Sequence, residues 1–471
     1  MKKAEEFINH KEILKTLELA KEKSRDHGYV KGLLEKARTM QGLTHDETAV
    51  LLNIDDRALL EEMFCIAKEI KEKIYGKRIV MFAPLYVSNY CVNNCKYCGY
   101  KNCNSELTRK QLTMEELQEE VKVLESLGHK RIALEAGEDL KNCPLEYILK
   151  CMETIYAIHF DNGSIRRINV NIAATTVENY KKLKEAGIGT YILFQETYHK
   201  ETYESLHPNG PKHNYEFHTT AMDRAMAGGI DDVGFGVLYG LYDYKYDTVA
   251  MMMHKEHMEE TFGVGPHTIS VPRLKEAEGV DLSNYPHLIN DEIFKKIVAI
   301  IRLSVPYTGI ILSTREAPGF REEVLELGVS QVSSGSCTGV GGYTDEYLHP
   351  ERERLNTKQF NVEDHRSPKE MLAVLCKGGY VPSFCTACYR SGRTGDRFMR
   401  LAKSGQINNV CLPNALMTFK EYLMDYGDEE LKTIGAQLIQ QSLKNIKSEK
   451  VKTLTEEQLQ KIEEGTRDLY L

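Results

Sequence analysis

The strongest chemical signal in the sequence is a group of three closely spaced cysteines. Cys91, Cys95 and Cys98 are separated by three and by two residues in CVNNCKYCGY, directly after an apolar run. Thiolates bind zinc and iron-sulfur clusters, and a structural zinc site would need a fourth ligand such as Cys103. A four-iron cluster would either recruit Cys103 or keep one iron free of protein ligands, where a small molecule can bind. The spacing differs from the paired Cys-x-x-Cys knuckles of zinc sites, which favours a cluster.

A second group of cysteines lies near the carboxyl end of the chain. Cys385 and Cys388 form a Cys-x-x-Cys pair, and Cys411 follows after the intervening residues 389–410. A thioredoxin-type redox pair is disfavoured because that motif opens a helix directly after a strand of its own βαβ unit. A zinc site would lack a fourth ligand unless a distant histidine supplied it. Three cysteines again match a four-iron cluster with one open iron. The remaining single cysteines are predicted to be small buried residues: Cys65, Cys143, Cys151, Cys337 and Cys376.

Elements that could position these cysteines follow a regular alternation. Strand-like runs occur at 78–88, 131–137, 164–173, 190–198, 231–241, 267–274, 308–316 and 331–336. Helical patterns separate them, such as the one opened by the capping box Thr113-x-x-Glu116. Strands joined by helical crossovers pair in parallel, and eight such units close an α/β (β/α)8 TIM barrel; an open doubly wound sheet is the alternative. In both folds the chemistry lies at the carboxyl ends of the strands.

The chain divides into three predicted parts. Residues 1–77 form an amino-terminal helical extension, in which Thr44-x-x-Glu47 supplies a capping box. Residues 78–345 form the barrel. Residues 346–471 form a carboxyl-terminal helical domain, opened by an N-cap at Ser367 and carrying the second cysteine group.

Composition excludes several classes of function. The 471 residues are 28% charged and 42% hydrophobic, with a formal net charge of −8 and no long basic run. Such a chain has no electrostatic footprint for nucleic acid or for an anionic membrane. No secretory leader and no stretch of roughly 20 apolar residues is found, so we expect a cytoplasmic protein whose cysteines act as ligands or core residues.

The first cysteine group resembles the signature of the radical S-adenosylmethionine (SAM) superfamily. The resemblance lies in the Cys-x-x-x-Cys-x-x-Cys spacing, in aromatic Tyr97 before the last cysteine, and in the position after the first strand. It implies a barrel of the radical SAM type, a 4Fe-4S cluster held by three cysteines, and SAM bound at the open iron near Tyr97. Cys103 is then a bystander.

Further positions match the SAM-binding elements of that superfamily. Gly137 and Glu138 end the second strand like its Gly-Gly-Glu element, with alanine in place of the first glycine. Gln195 and Thr197 in FQETY correspond to positions that contact the SAM ribose. Arg224 corresponds to an arginine that pairs with the SAM carboxylate, a role suited to a planar fork of donors.

The whole pattern resembles a narrower family, the radical SAM tyrosine lyase maturases of FeFe-hydrogenase. FQETYHKETY, GVGPHTISVPR, ILSTRE and the second cysteine group carry this resemblance, which spans about residues 40–440. It implies cleavage of L-tyrosine to p-cresol and dehydroglycine, and conversion of the latter to carbon monoxide and cyanide. It also implies a second 4Fe-4S cluster with an extra iron held by L-cysteine. The partners implied are other hydrogenase maturases and an electron donor such as ferredoxin or flavodoxin.

Candidates for the remaining roles follow from that resemblance. Arg315, with Ser334 from the serines at the end of the eighth strand, is predicted to bind the tyrosine carboxylate, which an arginine can grip bidentately. His257 is predicted to ligate the extra iron, with His254 and His267 as alternatives. Two other functions stay open: a thiazole-synthesis tyrosine lyase that stops at dehydroglycine, and a non-catalytic iron-sulfur scaffold.

Overall fold

The computed structural model describes residues 2–277 and 280–471, and its centre is a closed barrel of eight parallel strands. The strands are β1 (Arg78–Ser88), β2 (Arg131–Ala136), β3 (Arg167–Asn171), β4 (Tyr191–Glu196), β5 (Val233–Val237), β6 (Thr268–Ser270), β7 (Gly309–Leu312) and β8 (Gln331–Ser333). They run in chain order around the barrel, and β1 pairs with both β2 and β8. The predicted α/β TIM barrel is therefore confirmed, and the open sheet is wrong.

A ninth strand, β9 (Val381–Ser383), joins this sheet from the carboxyl-terminal region. The long β1 makes this possible: residues 83–88 pair mainly with β2, residues 80–82 with β8, and residues 78–80 with β9. Because β9 attaches at the start of β1, it brings the chain that follows it to the amino-terminal end of the barrel. The second cysteine group begins two residues after β9.

Helices cover the barrel and extend it at both ends of the chain. Before the barrel lie α1 (Ala4–Phe7), α2 (His10–Lys23), α3 (His27–Arg38), α4 (His45–Leu52) and α5 (Arg57–Tyr75). Between the strands lie α6 (Met114–Ser126), α7 (Leu145–Ala157), α8 (Val177–Glu185), α9 (Lys200–Leu206), α10 (Tyr215–Thr219), α11 (Ala221–Ala227), α12 (Tyr244–Phe262), α13 (Asp291–Ser304) and α14 (Phe320–Glu326). After them lie α15 (Pro368–Lys377), α16 (Ala387–Arg390), α17 (Gly395–Lys403), α18 (Asn408–Tyr426), α19 (Glu429–Leu443) and α20 (Glu449–Glu463).

Local sequence signals explain where several helices start. Thr44, Thr113 and Ser367 each cap a helix, and each accepts a hydrogen bond from the backbone of a glutamate three residues later, as predicted. The amino-terminal helices pack onto the outside of the barrel, with α5 against α13 and with α2 and α4 against α12. Within the part of the chain that is described, no helix combines the length and the apolar character needed to cross a membrane.

Candidate active site and second cysteine site

A cavity of about 240 Å³ opens at the carboxyl ends of the barrel strands, where the fold predicts chemistry. Cys91, Cys95 and Cys98 line it from the loop after β1. Cys103 is exposed and does not line it; its backbone N–H donates to the Asn94 side chain at 2.8 Å. The three predicted cysteines therefore come together, and Cys103 stands apart from them.

The cysteine loop is held in place by the end of β2. The Glu138 carbonyl accepts from the Val92 backbone N–H at 2.9 Å, and its carboxylate accepts from the Asn93 amide at 2.6 Å. Gly137 permits this approach, because a Cβ atom there would lie 2.3 Å from the Tyr90 carbonyl oxygen. Gly137 and Glu138 both line the cavity, so the structure brings this predicted pair beside the cysteines.

The charge next to the cysteines comes from a buried ion pair that the sequence did not reveal. Lys212 lies 2.7 Å from the Glu196 carboxylate, and both residues line the cavity. Burial disfavours the charged form of Lys212, but Glu196 and Cys95 outweigh it and raise the pKa of the ammonium group. Burial raises the pKa of the Cys98 thiol to about 11, while Lys212 acts to lower it. Binding a metal cluster replaces such thiol protons.

Tyr97 also lines the cavity, as the resemblance implied. Its side chain is buried, and its hydroxyl group lies 2.7 Å from Nε2 of His207. Lys212 lies above the ring, 5.8 Å from its centroid. The hydrogen bond to His207 holds the Tyr97 ring at the cavity wall beside the cysteines.

Gln195 and Thr197 are not among the residues that line the cavity. The Gln195 amide donates to the Thr219 hydroxyl at 3.0 Å, and the Thr197 hydroxyl donates to Asp247 at 2.9 Å. Glu196, between them, faces the cavity instead and has a positive φ of 70°. The pairing of β4 with β5 shifts in register between Phe194 and Glu196, at the residue with the positive φ. The structure thus places Glu196, and neither Gln195 nor Thr197, at the cavity wall.

Arg224 is likewise held behind the cavity wall. Its guanidinium group donates to the Thr175 carbonyl and to the Thr220 hydroxyl, each at 2.8 Å, and to the Phe217 carbonyl. It also stacks on Phe217, 3.9 Å from the ring centroid, and Phe217 lines the cavity. In this arrangement Arg224 supports the wall through Phe217 and does not itself line the cavity, which differs from the expected SAM contact.

Deeper in the same cavity, Arg315 presents a free guanidinium group. It stacks on Phe360 at 3.4 Å from the ring centroid. The adjacent Glu316 is engaged elsewhere, since it accepts from Arg273 Nε at 2.9 Å. Among the described residues none accepts a hydrogen bond from the Arg315 side chain, so its donors remain available to a ligand.

The serines at the end of β8 divide between two faces. Ser333 and Ser336 line the cavity, whereas Ser334 does not. The Ser334 backbone N–H donates to the Phe82 carbonyl at 3.1 Å. The Ser334 and Ser336 hydroxyls are both buried without a partner. The structure places Ser333 and Ser336 at the cavity wall and the predicted Ser334 outside it.

The second cysteine group lines a separate cavity of about 50 Å³ at the opposite, amino-terminal end of the barrel. Cys385, Cys388 and Cys411 all line it, as predicted, and β9 and α18 position them. A hydrogen bond from Cys411 and the nearby Arg393 lower the pKa of the Cys388 thiol, which favours the thiolate that a metal needs.

The histidine that lines the second cavity is His267, whereas the predicted His257 lies outside it. Both ring nitrogens of His257 are taken up elsewhere, by Asp223 at 2.9 Å and by Thr261 at 3.3 Å. His267 precedes β6 and lines the cavity; its Nδ1 lies 3.4 Å from Asp232 and its Nε2 lies 3.0 Å from the Tyr389 hydroxyl. A carboxylate behind one ring nitrogen is the arrangement that orients metal-binding histidines.

Each cavity brings together three cysteine thiols. Across residues 2–277 and 280–471, no three His, Cys, Asp or Glu side chains converge closely enough to hold one metal ion. A closed tetrahedral zinc site needs four ligands, whereas three thiolates suffice for a four-iron cluster with one open iron. At the second cavity, Cys388 and Cys411 lie within hydrogen-bond distance of each other.

A closed parallel barrel with a three-cysteine loop after its first strand defines a radical SAM protein. In agreement, residues 85–255 match the family model of the Radical SAM superfamily. Residues 270–381 match the Biotin and Thiamin Synthesis associated domain, which crosses the predicted domain boundary at residue 345. Membership of this superfamily implies a 4Fe-4S cluster and SAM.

Comparison with solved and curated proteins identifies the family. A HydG structure, described as a maturase of the [FeFe]-hydrogenase, is 61% identical with a TM-score of 0.95, covering 99% of this chain and all of that one. HydG from Carboxydothermus hydrogenoformans is 40% identical with a TM-score of 0.84, covering 98% and 100%. The 2-iminoacetate synthase of Salmonella typhimurium is 31% identical over 76% of this chain and 91% of its own. The chain belongs to the HydG family of [FeFe]-hydrogenase maturases.

Proposed function

We propose that this chain is a radical SAM lyase that cleaves the Cα–Cβ bond of L-tyrosine to p-cresol and dehydroglycine. The second cavity then converts dehydroglycine to carbon monoxide and cyanide, as part of an iron-carbonyl-cyanide precursor for the hydrogenase. The observation that carries this proposal is the presence of two cavities, each lined by three cysteines, at opposite ends of one closed barrel. The cavity at the carboxyl ends of the strands suits the cleavage of tyrosine, and the cavity at the opposite end suits the conversion of dehydroglycine.

In the first cavity, the residues Cys91, Cys95 and Cys98 would hold the cluster, and Tyr97 and Glu138 would contact SAM. When bound, the reduced cluster and SAM supply a 5′-deoxyadenosyl radical that removes a hydrogen atom from the tyrosine amino group. The chain's own task is to exclude water and to orient tyrosine, since a radical needs a dry cavity that prevents side reactions.

Arg315 holds the tyrosine carboxylate, with Ser336 as a hydroxyl donor from the loop after β8. Its free donors and its stacking on Phe360 preorganise the planar fork for a bidentate contact. Burial lowers the pKa of Arg315, yet arginine stays protonated at any working pH. Ser336 contributes the unpartnered hydroxyl noted above, in place of Ser334.

Replacing Arg315 with glutamine is expected to raise the KM for tyrosine by about tenfold or more, because a charge-assisted contact is worth roughly 1.5–3 kcal/mol. SAM binding should change little. The measurement is the rate of p-cresol formation against tyrosine concentration. Arg352→Gln, at an exposed arginine outside the cavity, is the matched control and should keep the KM unchanged. An unaltered KM in Arg315→Gln would assign the carboxylate to another residue.

Glu135 makes tyrosine binding dependent on pH. It lines the cavity, and burial raises the pKa of its carboxyl to about 8, against a hydrogen bond from Asn171 and the charge of Arg315. Below that pKa Glu135 is neutral; above it, an anion competes with tyrosine for Arg315. The KM for tyrosine should therefore rise roughly five- to tenfold as pH increases through this value. In Glu135→Gln, measured over the same pH range, the increase in KM that is due to Glu135 should vanish. An increase as large as that of the wild type would show that another group titrates.

In the second cavity, the residues Cys385, Cys388 and Cys411 would hold a second 4Fe-4S cluster. His267, rather than His257, would ligate an extra iron that L-cysteine would also bind. Its Nδ1 lies 3.4 Å from Asp232, and its Nε2 contacts the Tyr389 hydroxyl at the cavity. Reduction requires an electron donor such as ferredoxin or flavodoxin, and the product passes to other maturases or to the hydrogenase.

The decisive experiment traps carbon monoxide with deoxymyoglobin. Reconstituted protein receives SAM, tyrosine, cysteine, iron and dithionite without oxygen, and a sample without tyrosine is the control. Carbon monoxide together with p-cresol supports the proposal. p-Cresol without carbon monoxide would instead match a lyase that stops at dehydroglycine, in line with the similarity to a 2-iminoacetate synthase. If SAM were not cleaved, the remaining interpretation would be a non-catalytic iron-sulfur scaffold.

A further inference from the structure

The second cavity has an unusually basic wall. Arg78, Arg131 and Arg167 line it together with the three cysteines, and each comes from the first residue of a barrel strand. Their exposed fractions are only 8%, 7% and 2%. Among the described residues that line this cavity there is no aspartate or glutamate. Guanidinium groups buried so deeply are normally paired with an acid.

Two of these arginines have donors without acceptors. No described residue accepts a hydrogen bond from the Arg78 side chain, and its Nε is buried without a partner. Arg131 donates from Nη1 to the Cys385 carbonyl at 3.1 Å, but its Nε is also unpartnered. Arg167 is anchored by Asn169 at 2.8 Å and stacks on Tyr389. Arg78 and Arg131 therefore have the free donors, and Arg167 adds a fixed positive charge.

Hydroxyl groups in the same wall are also unpartnered. The side-chain oxygens of Ser330 and Thr386 are buried without hydrogen-bond partners, and both residues line the cavity. A buried polar group without a partner costs free energy, and several around one small space indicate a missing polar ligand. Free hydrogen-bond donors beside positively charged groups favour the binding of an anion.

The cysteines alone do not balance this charge. If three thiolates bind a cluster, the cationic iron core neutralises part of their negative charge. Asp232, just behind the cavity wall, offsets the charge of Arg167. Arg78 and Arg131 then leave a surplus of positive charge in a space that excludes most water. An additional anion removes that surplus and satisfies the free N–H groups at the same time.

We infer that Arg78 and Arg131 form a carboxylate-binding subsite beside the second cluster, with Arg167 as a supporting charge. The ligand is the carboxylate of a small α-imino, α-keto or α-amino acid. This inference rests on the proposed function, which brings two such acids to this cavity: dehydroglycine from the first site, and the L-cysteine that binds the extra iron. The planar guanidinium fork suits a carboxylate, and the hydroxyl groups supply further donors.

The test measures binding at the second site without turnover. Holoenzyme lacking SAM is titrated with glyoxylate, a stable two-carbon acid, and in a separate series with L-cysteine. The EPR spectrum of the reduced second cluster reports binding of each probe. For at least one probe, Arg78→Gln and Arg131→Gln should each raise the apparent Kd by about tenfold or more, as expected for loss of a charged hydrogen bond.

Controls separate the subsite from general damage. The control Arg166→Gln changes the residue next to Arg167 in the chain. The Arg166 side chain pairs with Glu421 outside the cavity, where Lys130, 3.2 Å away, can still pair with Glu421. Arg166→Gln should leave both Kd values unchanged. Arg78→Lys keeps the charge but loses the fork, so it should give an intermediate Kd. Only variants with the iron content of the wild type are compared, and Arg78→Lys serves if a glutamine variant does not fold.

The outcomes distinguish the source of the carboxylate. Weakened binding of glyoxylate alone assigns the subsite to the two-carbon acid, and weakened binding of L-cysteine alone assigns it to the iron-binding amino acid. Unchanged binding of both probes overturns the inference, even if the wild type releases carbon monoxide from tyrosine. Conversely, arginine-dependent binding in a wild type that releases none would keep the subsite and refute the proposed function.

Discussion

Replacing Cys95 with alanine is expected to reduce formation of 5′-deoxyadenosine to the background of protein without iron. Cys95 is one of three thiols on the cavity wall, and within residues 2–277 and 280–471 no fourth cysteine lines that cavity to replace it. Loss of one thiolate leaves the first cluster incomplete, so SAM has no reducible partner. p-Cresol should disappear with the same variant. The measurement is 5′-deoxyadenosine by chromatography after addition of dithionite and SAM.

The matched control is Cys103→Ala. Cys103 belongs to the same loop but is exposed and lies outside the cavity, so SAM cleavage should remain at the wild-type rate. Cys95→Ala should keep the second cluster and therefore part of its iron. If Cys95→Ala still cleaved SAM, the first cluster would have to lie elsewhere; if Cys103→Ala also lost activity, Cys103 would be a ligand.

The fold could be predicted from the sequence because the alternation of strands and helices is long and several helix starts are marked by capping residues. Eight strand-like runs separated by amphipathic helices leave few topologies, and the capping boxes at Thr44, Thr113 and Ser367 mark helix starts. Except for 78–88, which β1 matches in full, each predicted run contains a shorter strand. For example, 164–173 contains β3 at Arg167–Asn171. The polar residues at the strand ends leave the sheet and build the cavity walls, which periodicity does not detect.

Side-chain direction is where the sequence reading was least accurate. The motif predicted that Gln195 and Thr197 contact the cofactor, but an irregularity at the end of β4 places Glu196 at the cavity instead. The same one-residue difference separates Ser334 from Ser333. A shift of one residue turns a side chain to the other face of a strand, so a motif can be located correctly and its contacts misassigned.

The basic wall of the second cavity could not be found from sequence. Arg78, Arg131 and Arg167 each begin a strand, where a charged residue usually faces water. The pairing of β9 with the start of β1, and the helices that follow β9, cover that end of the barrel and bury them. The sequence named His267 only as an alternative to His257 for a similar reason, since its partner Tyr389 comes from a helix 122 positions away in the chain. Long-range contacts of this kind leave no periodic signal.

Two sites at opposite ends of one barrel predict that their reactions can be separated by mutation. Cys388→Ala is expected to abolish carbon monoxide release while p-cresol formation continues at a rate close to that of the wild type. Cys388 lines only the second cavity, so the first cluster and the tyrosine site remain complete. Dehydroglycine that finds no second cluster should hydrolyse in solution to glyoxylate. Carbon monoxide, p-cresol and glyoxylate are quantified from the same reaction.

Cys376→Ala is the control for this variant, because Cys376 is a buried cysteine of α15 that lines neither cavity. It should release carbon monoxide and p-cresol in the wild-type ratio. Cys388→Ala and Cys95→Ala then form a pair: the first loses only the late product, whereas the second loses both. Carbon monoxide release by Cys388→Ala at the wild-type rate would remove the second cluster from the pathway. Loss of p-cresol in that variant would instead show that the two ends of the barrel are coupled, since no residue near tyrosine has changed.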